Sequence, residues 1–203
     1  FKVYNQFGLG VENLAGNAAF SFTTSKLVPG TGGKTAFWST YMVDDDEGMP
    51  DISATTYSRG TLEELGGGDY RFTFEDSLNA IAGVAFEPTL THRVTMEIRN
   101  ANVGGTAVPG SDTAFDVQPS TGATTGIAQR EIITQEACAA CHGTTDFAFH
   151  GGARQDVRAC VGCHQAGKID AFDSNSIDFG VMLHKIHTGA NLNNLPLLFC
   201  GFP

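Results

Sequence analysis

Two copies of one pentapeptide, Cys138-Ala-Ala-Cys141-His142 and Cys160-Val-Gly-Cys163-His164, begin 22 residues apart in the last third of a 203-residue chain. No other feature constrains the fold as much, because Cys-x-x-Cys-His is the attachment signature of a c-type haem. Two thiols add across the two vinyl groups of one porphyrin, and the histidine beside the second thiol becomes the proximal ligand of the iron. Two motifs therefore predict two covalent haems, and a segment carrying two porphyrins is organised around them rather than around a side-chain core. A Cys-x-x-Cys pair by itself also suits a redox disulfide or half of a zinc site. Neither alternative uses the adjacent histidine, and neither accounts for the repetition.

Composition divides the chain in the same way. Residues 1–125 contain all four tyrosines, the only tryptophan and no cysteine, whereas all five cysteines and five of the six histidines follow position 137. The expected organisation is a cofactor-free domain over 1–125 and a dihaem domain over 126–203, with the Ser-, Thr- and Gly-rich stretch Pro119–Gly126 as linker.

The first half alternates in twos. Tyr70, Phe72 and Phe74 alternate with Arg71, Thr73 and Glu75, and Val94, Met96 and Ile98 with Arg93, Thr95, Glu97 and Arg99, the pattern of half-buried strands. Further strands are expected over Phe1–Leu9, Ala18–Val28, Thr35–Val43, Ile52–Tyr57 and Ala114–Val117, separated by the glycine clusters at 29–33, 66–68 and 103–105. About seven short strands at such spacing predict an antiparallel sandwich or barrel. Beyond the linker the alternation stops, and the dihaem part is expected to be mostly irregular with short helices. One of these runs through Gly180–His187, capped by Asp178 and stopped by Gly189, and it places His184 and His187 on one face.

Each iron with one proximal histidine has one axial position left. His92, His150, His184 and His187 are the remaining histidines, and Met182 is a competing ligand that would raise the reduction potential. His92 shares the apolar parity of Val94, Met96 and Ile98 and reads as a core residue rather than a ligand. His150 precedes Gly151 and Gly152, whose lack of side chains lets a porphyrin approach the backbone. His184 and His187 could serve two haems lying side by side. With histidines in surplus, both irons are expected to be bis-histidine, which leaves no coordination site for a substrate. The functional expectation is an electron carrier. The alternative is a haem-dependent terminal reductase of a metal or small oxyanion; an adhesion module would leave the haem density unused.

The formal charge of −10 argues against nucleic acid as a partner and favours cations or a basic redox partner. No apolar run approaches the roughly 20 residues that cross a bilayer, and no signal-peptide pattern opens the chain at Phe1, so the sequence reads as a mature, exported, soluble product. Cys200 is the odd thiol, available for pairing between chains or buried in the apolar run Leu195–Cys200. The acidic run Asp44–Glu47 reads as a solvated loop rather than a calcium site.

The stretch Arg130–His142, then His150-Gly-Gly-Ala-Arg154, then Cys160–His164, then Met182-Leu-His184-Lys-Ile-His187-Thr-Gly189 resembles the outer-membrane decahaem cytochromes of the OmcA/MtrC type. Tyr70–Phe74 and Thr89–Val94 look like strands of the β domain that precedes the haems in that family. The resemblance implies a β-sandwich or split-barrel domain beside bis-histidine haems. It implies export through the periplasm to the outer-membrane surface or beyond, and passage of respiratory electrons to metal oxides, flavins or partner cytochromes. In it His150 corresponds to a His-Gly-Gly motif, and His184 and His187 to a His-x-x-His pair. The sequence departs from the family in having two haem motifs and no N-terminal lipid-anchoring cysteine. It is therefore expected to be a truncated relative or a small subunit whose haem chain continues into other copies of itself, as in a filament, with His184 or His187 ligating a neighbour's haem.

Overall fold

The structure is a computed structural model that describes residues 1–44, 53–80, 84–143, 148–170 and 174–193. Its centre is a four-stranded antiparallel sheet of β1 (Ala19–Val28), β2 (Phe37–Thr40), β7 (His92–Arg99) and β10 (Ser111–Val117), in the order β10-β7-β1-β2. Among the described residues three two-stranded ribbons accompany it: β3 (Val43–Asp44) with β4 (Ser53–Ala54), β5 (Gly60–Gly66) with β6 (Asp69–Phe74), and β8 (Ala101–Val103) with β9 (Thr106–Val108). The β5–β6 turn rests on Gly66, Gly67 and Gly68, all with left-handed φ of 91°, 62° and 82°, a conformation other residues adopt only at a cost.

The strand register sorts side chains onto two faces. Phe20 pairs with Ile98, Phe22 with Met96 and Thr24 with Val94, so the apolar residues of β1 and β7 share one face. The β5–β6 ribbon covers that face, with Tyr70, Phe72, Phe74 and Leu62 packing on Phe20, Phe22 and Ile98. The Phe22 and Phe72 rings lie 4.5 Å apart and tilted, a favourable aromatic geometry. The result is a mainly β sandwich of unequal layers, and among the described residues its sheets do not close into a barrel.

The opposite face is polar yet covered. It carries Thr23, Ser25, Arg93, Thr95, Glu97 and Asp116, all buried, so β7 is enclosed on both sides rather than half-buried as its alternation predicts. The covering layer is the Cys/His-rich segment itself. Its helices are α1 (Gln135–His142), α2 (Val157–Cys160) and α3 (Phe179–Thr188), N-capped by Thr134, Asp156 and Asp178, with Gly189 ending α3 as the sequence predicts. Leu27 and Trp38 of the sheet form one apolar cluster with Val157, Val161 and Phe179 of this segment.

Two expected strands are shorter than their patterns. Over Phe1–Leu9 there are only the bridges Lys2–Asp69 and Tyr4–Gly10, because the Asn5 side chain accepts the N–H groups of Phe7 and Leu9 and turns the chain. The Thr35–Val43 run breaks after Thr40, whose hydroxyl accepts the Met42 N–H. Asp45–Glu47 and Cys200 lie outside the described residues. No described helix is long and apolar enough to cross a membrane.

Candidate functional site

The two motifs occupy different surroundings. The first ends α1, where Cys141 and His142 are exposed and Cys138 half-buried. The second starts in α2 and lies against the sheet. Its third residue is glycine for a steric reason: a Cβ on Gly162 would stand 2.5 Å from Thr23 Oγ1 and 3.1 Å from Thr95 Cγ2. Gln165 follows its histidine and is buried, donating to Ser25 Oγ and accepting from the Thr40 N–H.

All four motif thiols are free in the structure. Burial raises the Cys138 and Cys163 thiols and pushes Cys160 up to about 12, with Asp112 and Asp156 nearby adding to the effect. These are protonated thiols rather than the activated thiolates of a redox pair. Among the described residues no three His, Cys, Asp or Glu side chains gather as a metal cluster, whereas a structural zinc takes four converging donors.

Three of the histidines have one ring nitrogen held by the backbone. The Nδ1 atoms of His164, His184 and His187 lie 3.1, 2.7 and 2.8 Å from the carbonyl oxygens of Ile177, Gly180 and Leu183. A carbonyl can only accept, so each Nδ1 carries the proton and each Nε2 the lone pair, as in metal-bound histidines whose second nitrogen is held by the backbone. Burial lowers His164 to about 4, and partial burial with the charges of Arg154 and Arg99 lowers His150, which keeps both rings neutral near pH 7. His92 differs. Its Nδ1 faces the Leu90 carbonyl at 3.0 Å and its Nε2 the Tyr41 hydroxyl at 2.8 Å, so both nitrogens are engaged in the core.

Four rings pair off. The centroids of His142 and His187 are 6.0 Å apart with planes at 76°, and those of His150 and His164 are 6.1 Å apart with planes at 33°. Two imidazoles on opposite sides of one metal, each nitrogen about 2 Å from it, have centroids about 6 Å apart. Each pair joins one motif histidine to a histidine from elsewhere in the chain, at a separation two imidazoles sharing one metal would have. His184 belongs to neither pair. It lines, with His187, an open apolar cleft of about 390 Å³ walled by Ile132, Ile133, Phe179 and Leu183. Met182 packs instead on the apolar cluster around Phe179.

Sequence reasoning missed the polar partners that bind the second motif to the sheet. Arg154 donates to Glu97 at 2.7 Å, and Arg158 pairs with Asp116 at 2.7 Å. The Gln155 and Asp156 N–H groups both donate to Asp112 Oδ1. The only signal in the sequence was a row of charges on alternate positions of β7 and β10, which a solvated face would also carry.

The sequence profile of the family described as "Outer membrane cytochrome MtrC/MtrF-like, domains II/IV" matches residues 130–196, the stretch that contains both motifs. Over 198 residues, 96% of this chain, the sequence is 32% identical to "Multiheme cytochrome MtrC" of Shewanella baltica (strain OS185), and spans 28% of that protein. The crystal structure of the outer membrane decaheme cytochrome OmcA superposes with a TM-score of 0.73 at 28% identity, over 93% of this chain and 30% of that one. That of MtrC from Shewanella baltica OS185 gives 0.72 at 28% identity, over 95% and 30%. This chain therefore spans less than a third of the length of each relative.

Proposed function

Because this chain belongs to the OmcA/MtrC-type family of outer-membrane cytochromes, we propose that it carries two covalent c-type haems and relays respiratory electrons outside the cell rather than transforming a substrate. Cys138 and Cys141 anchor one haem, and Cys160 and Cys163 the other. His142 and His187 would hold the iron of the first, and His164 and His150 that of the second. The observation that carries this reading is the pair of centroid separations, 6.0 and 6.1 Å, each joining one motif histidine to one histidine from elsewhere in the chain.

Bound in this way, a haem supplies an iron that cycles by one electron. The protein's own part would be to supply two histidines to each iron, leaving no axial position open to small molecules. It also fixes the His164 and His187 rings through their Nδ1–H bonds and seats the second motif on the polar sheet face. The exposed His142 and Cys141 make the first centre the exchange point with partners, and the sheet-backed second centre the inner one. His184, which belongs to neither pair, is offered to a haem of an adjacent cytochrome module, another multihaem protein or a second copy of this chain. Residues 1–125 form the scaffold domain and 126–203 the dihaem domain. Acceptors are metal oxides, soluble ferric species, flavins or partner cytochromes, met at the outer-membrane surface or beyond after export through the periplasm.

Reductive titration of the purified haem-loaded chain tests this reading. It should take up two electrons per chain, return them to a ferric chelate or flavin, and bind carbon monoxide slowly or not at all. Uptake of one electron, or a high-spin fraction that binds carbon monoxide rapidly, contradicts it and favours a reductase with an open iron.

A further inference from the structure

We infer that Glu97 and Arg154 are positioning residues, an ion-paired anchor by which the β sheet holds the turn carrying His150 at ligand distance from the second haem iron. The inference rests on the axial pairing proposed above and adds to it the part of the protein that enforces the pair.

His150 opens a tight turn closed by a bridge between Phe149 and Arg154, with the Phe149 N–H donating to the Arg154 carbonyl at 2.9 Å. Three successive residues in the turn, His150, Gly151 and Gly152, have left-handed φ of 51°, 82° and 92°. For histidine that conformation is sparsely populated and persists only where the surroundings impose it. His150 is solvent-accessible over much of its surface and only partly enclosed, so its place is set mainly by the turn beneath it.

Two contacts impose the turn. On the apolar side Ala153 is buried, so close to the entry of β10 that a Cβ on Gly110 would stand 2.7 Å from the Ala153 Cβ. On the charged side Arg154 Nε donates to Glu97 Oε2 at 2.7 Å, and Glu97 is only 5% exposed in the middle of β7. Arg99 pairs with the other Glu97 oxygen, and its Nη1 is 3.8 Å from where a Gly151 Cβ would lie. The buried Glu97 carboxylate thus holds the Arg154 guanidinium, in a setting where removing one partner leaves the other charge uncompensated. A bond to β7, which is hydrogen-bonded on both edges, gives a ligand on an exposed turn the precision of a sheet.

The test compares full-length, haem-loaded Arg154→Gln, Glu97→Gln and Arg154→Lys with His150→Ala. Arg154→Gln and Glu97→Gln should each convert up to half of the iron to a high-spin form that binds carbon monoxide, as His150→Ala does. Added imidazole should restore the low-spin spectrum in all three, a rescue that general misfolding would not show. Arg154→Lys keeps a cation on Glu97 and should remain low-spin. Glu97→Gln is isosteric and provides the reading if Arg154→Gln does not accumulate. Low-spin spectra and unchanged carbon monoxide binding in both glutamine variants, alongside a high-spin His150→Ala, would overturn the anchor alone. A His150→Ala protein that stays fully low-spin would overturn the axial pairing and the anchor with it.

Discussion

Gln165, the residue after the second motif's histidine, donates to the Ser25 hydroxyl at 2.7 Å across 140 positions of sequence. Its other side-chain atom accepts the Thr40 N–H, also at 2.7 Å, so one amide ties the motif to two strands of the sheet. Gln165→Leu strands a buried backbone donor and a buried hydroxyl. It should cost about 2–6 kcal/mol of folding free energy, at about 1–3 kcal/mol for each of the two buried groups left unpaired. Denaturant titration measures it, and a cost below about 0.5 kcal/mol, the scatter of neutral surface changes, would contradict the contact.

The third position of each motif offers a controlled comparison. Ala140 in the first is exposed, whereas Gly162 in the second has no room for a Cβ beside Thr23 and Thr95. Gly162→Ala should destabilise by about 1–3 kcal/mol through overpacking. Ala140→Ser should stay within about 0.5 kcal/mol of wild type. Melting of the two variants side by side reads the difference.

The capped α3 and the apolar face of the sandwich were legible because each depends on local spacing. Asp178, His184, His187 and Gly189 lie within one short helix, and Phe20, Phe22, Met96 and Ile98 declare themselves by parity. The covered polar face was not legible. Arg93, Thr95 and Glu97 alternate with apolar neighbours as residues facing water do, and only the arrival of Arg154, Arg158 and Gln165 from the motif segment encloses them. The pairing of His150 with His164 and of His187 with His142 was hidden for the same reason, since it depends on how that segment folds over the sheet.

Arg93 shows how the enclosed charges are satisfied. It is buried, forks onto Asp116 at 2.8 and 2.9 Å and lies 4.3 Å from the centre of the Trp38 ring. Asp116→Ala leaves that guanidinium without its main partner and should cost about 3–5 kcal/mol. Arg93→Lys cannot reproduce the fork or the stacking and should also destabilise. Equilibrium unfolding checks both, and near-neutral results would mean that water reaches this layer.

His92 sets a pH dependence of stability. Burial lowers its pKa, with Lys26 nearby acting in the same direction and the Leu90 carbonyl and Glu87 opposing, so the native ring is neutral and accepts from Tyr41. The unfolded chain takes up the proton near pH 6.5, its unperturbed value, while the native state does not. Stability is therefore fully present above that pH and declines as the pH falls below it. The wild-type unfolding midpoint should drop between pH 7 and 5, and His92→Gln should flatten the decline. An unchanged slope in that variant would assign the titration to other groups.

The axial pairing is tested most directly in a chain reduced to one haem. With Cys138 and Cys141 replaced by serine, only the Cys160–Cys163 site remains to be loaded. His150→Ala should then turn that single iron high-spin, while His187→Ala should leave its absorption and electron-spin resonance spectra low-spin and unchanged. The opposite outcome, a spectrum indifferent to His150 and lost with His187, would contradict the pairing of His150 with His164 and the account built on it.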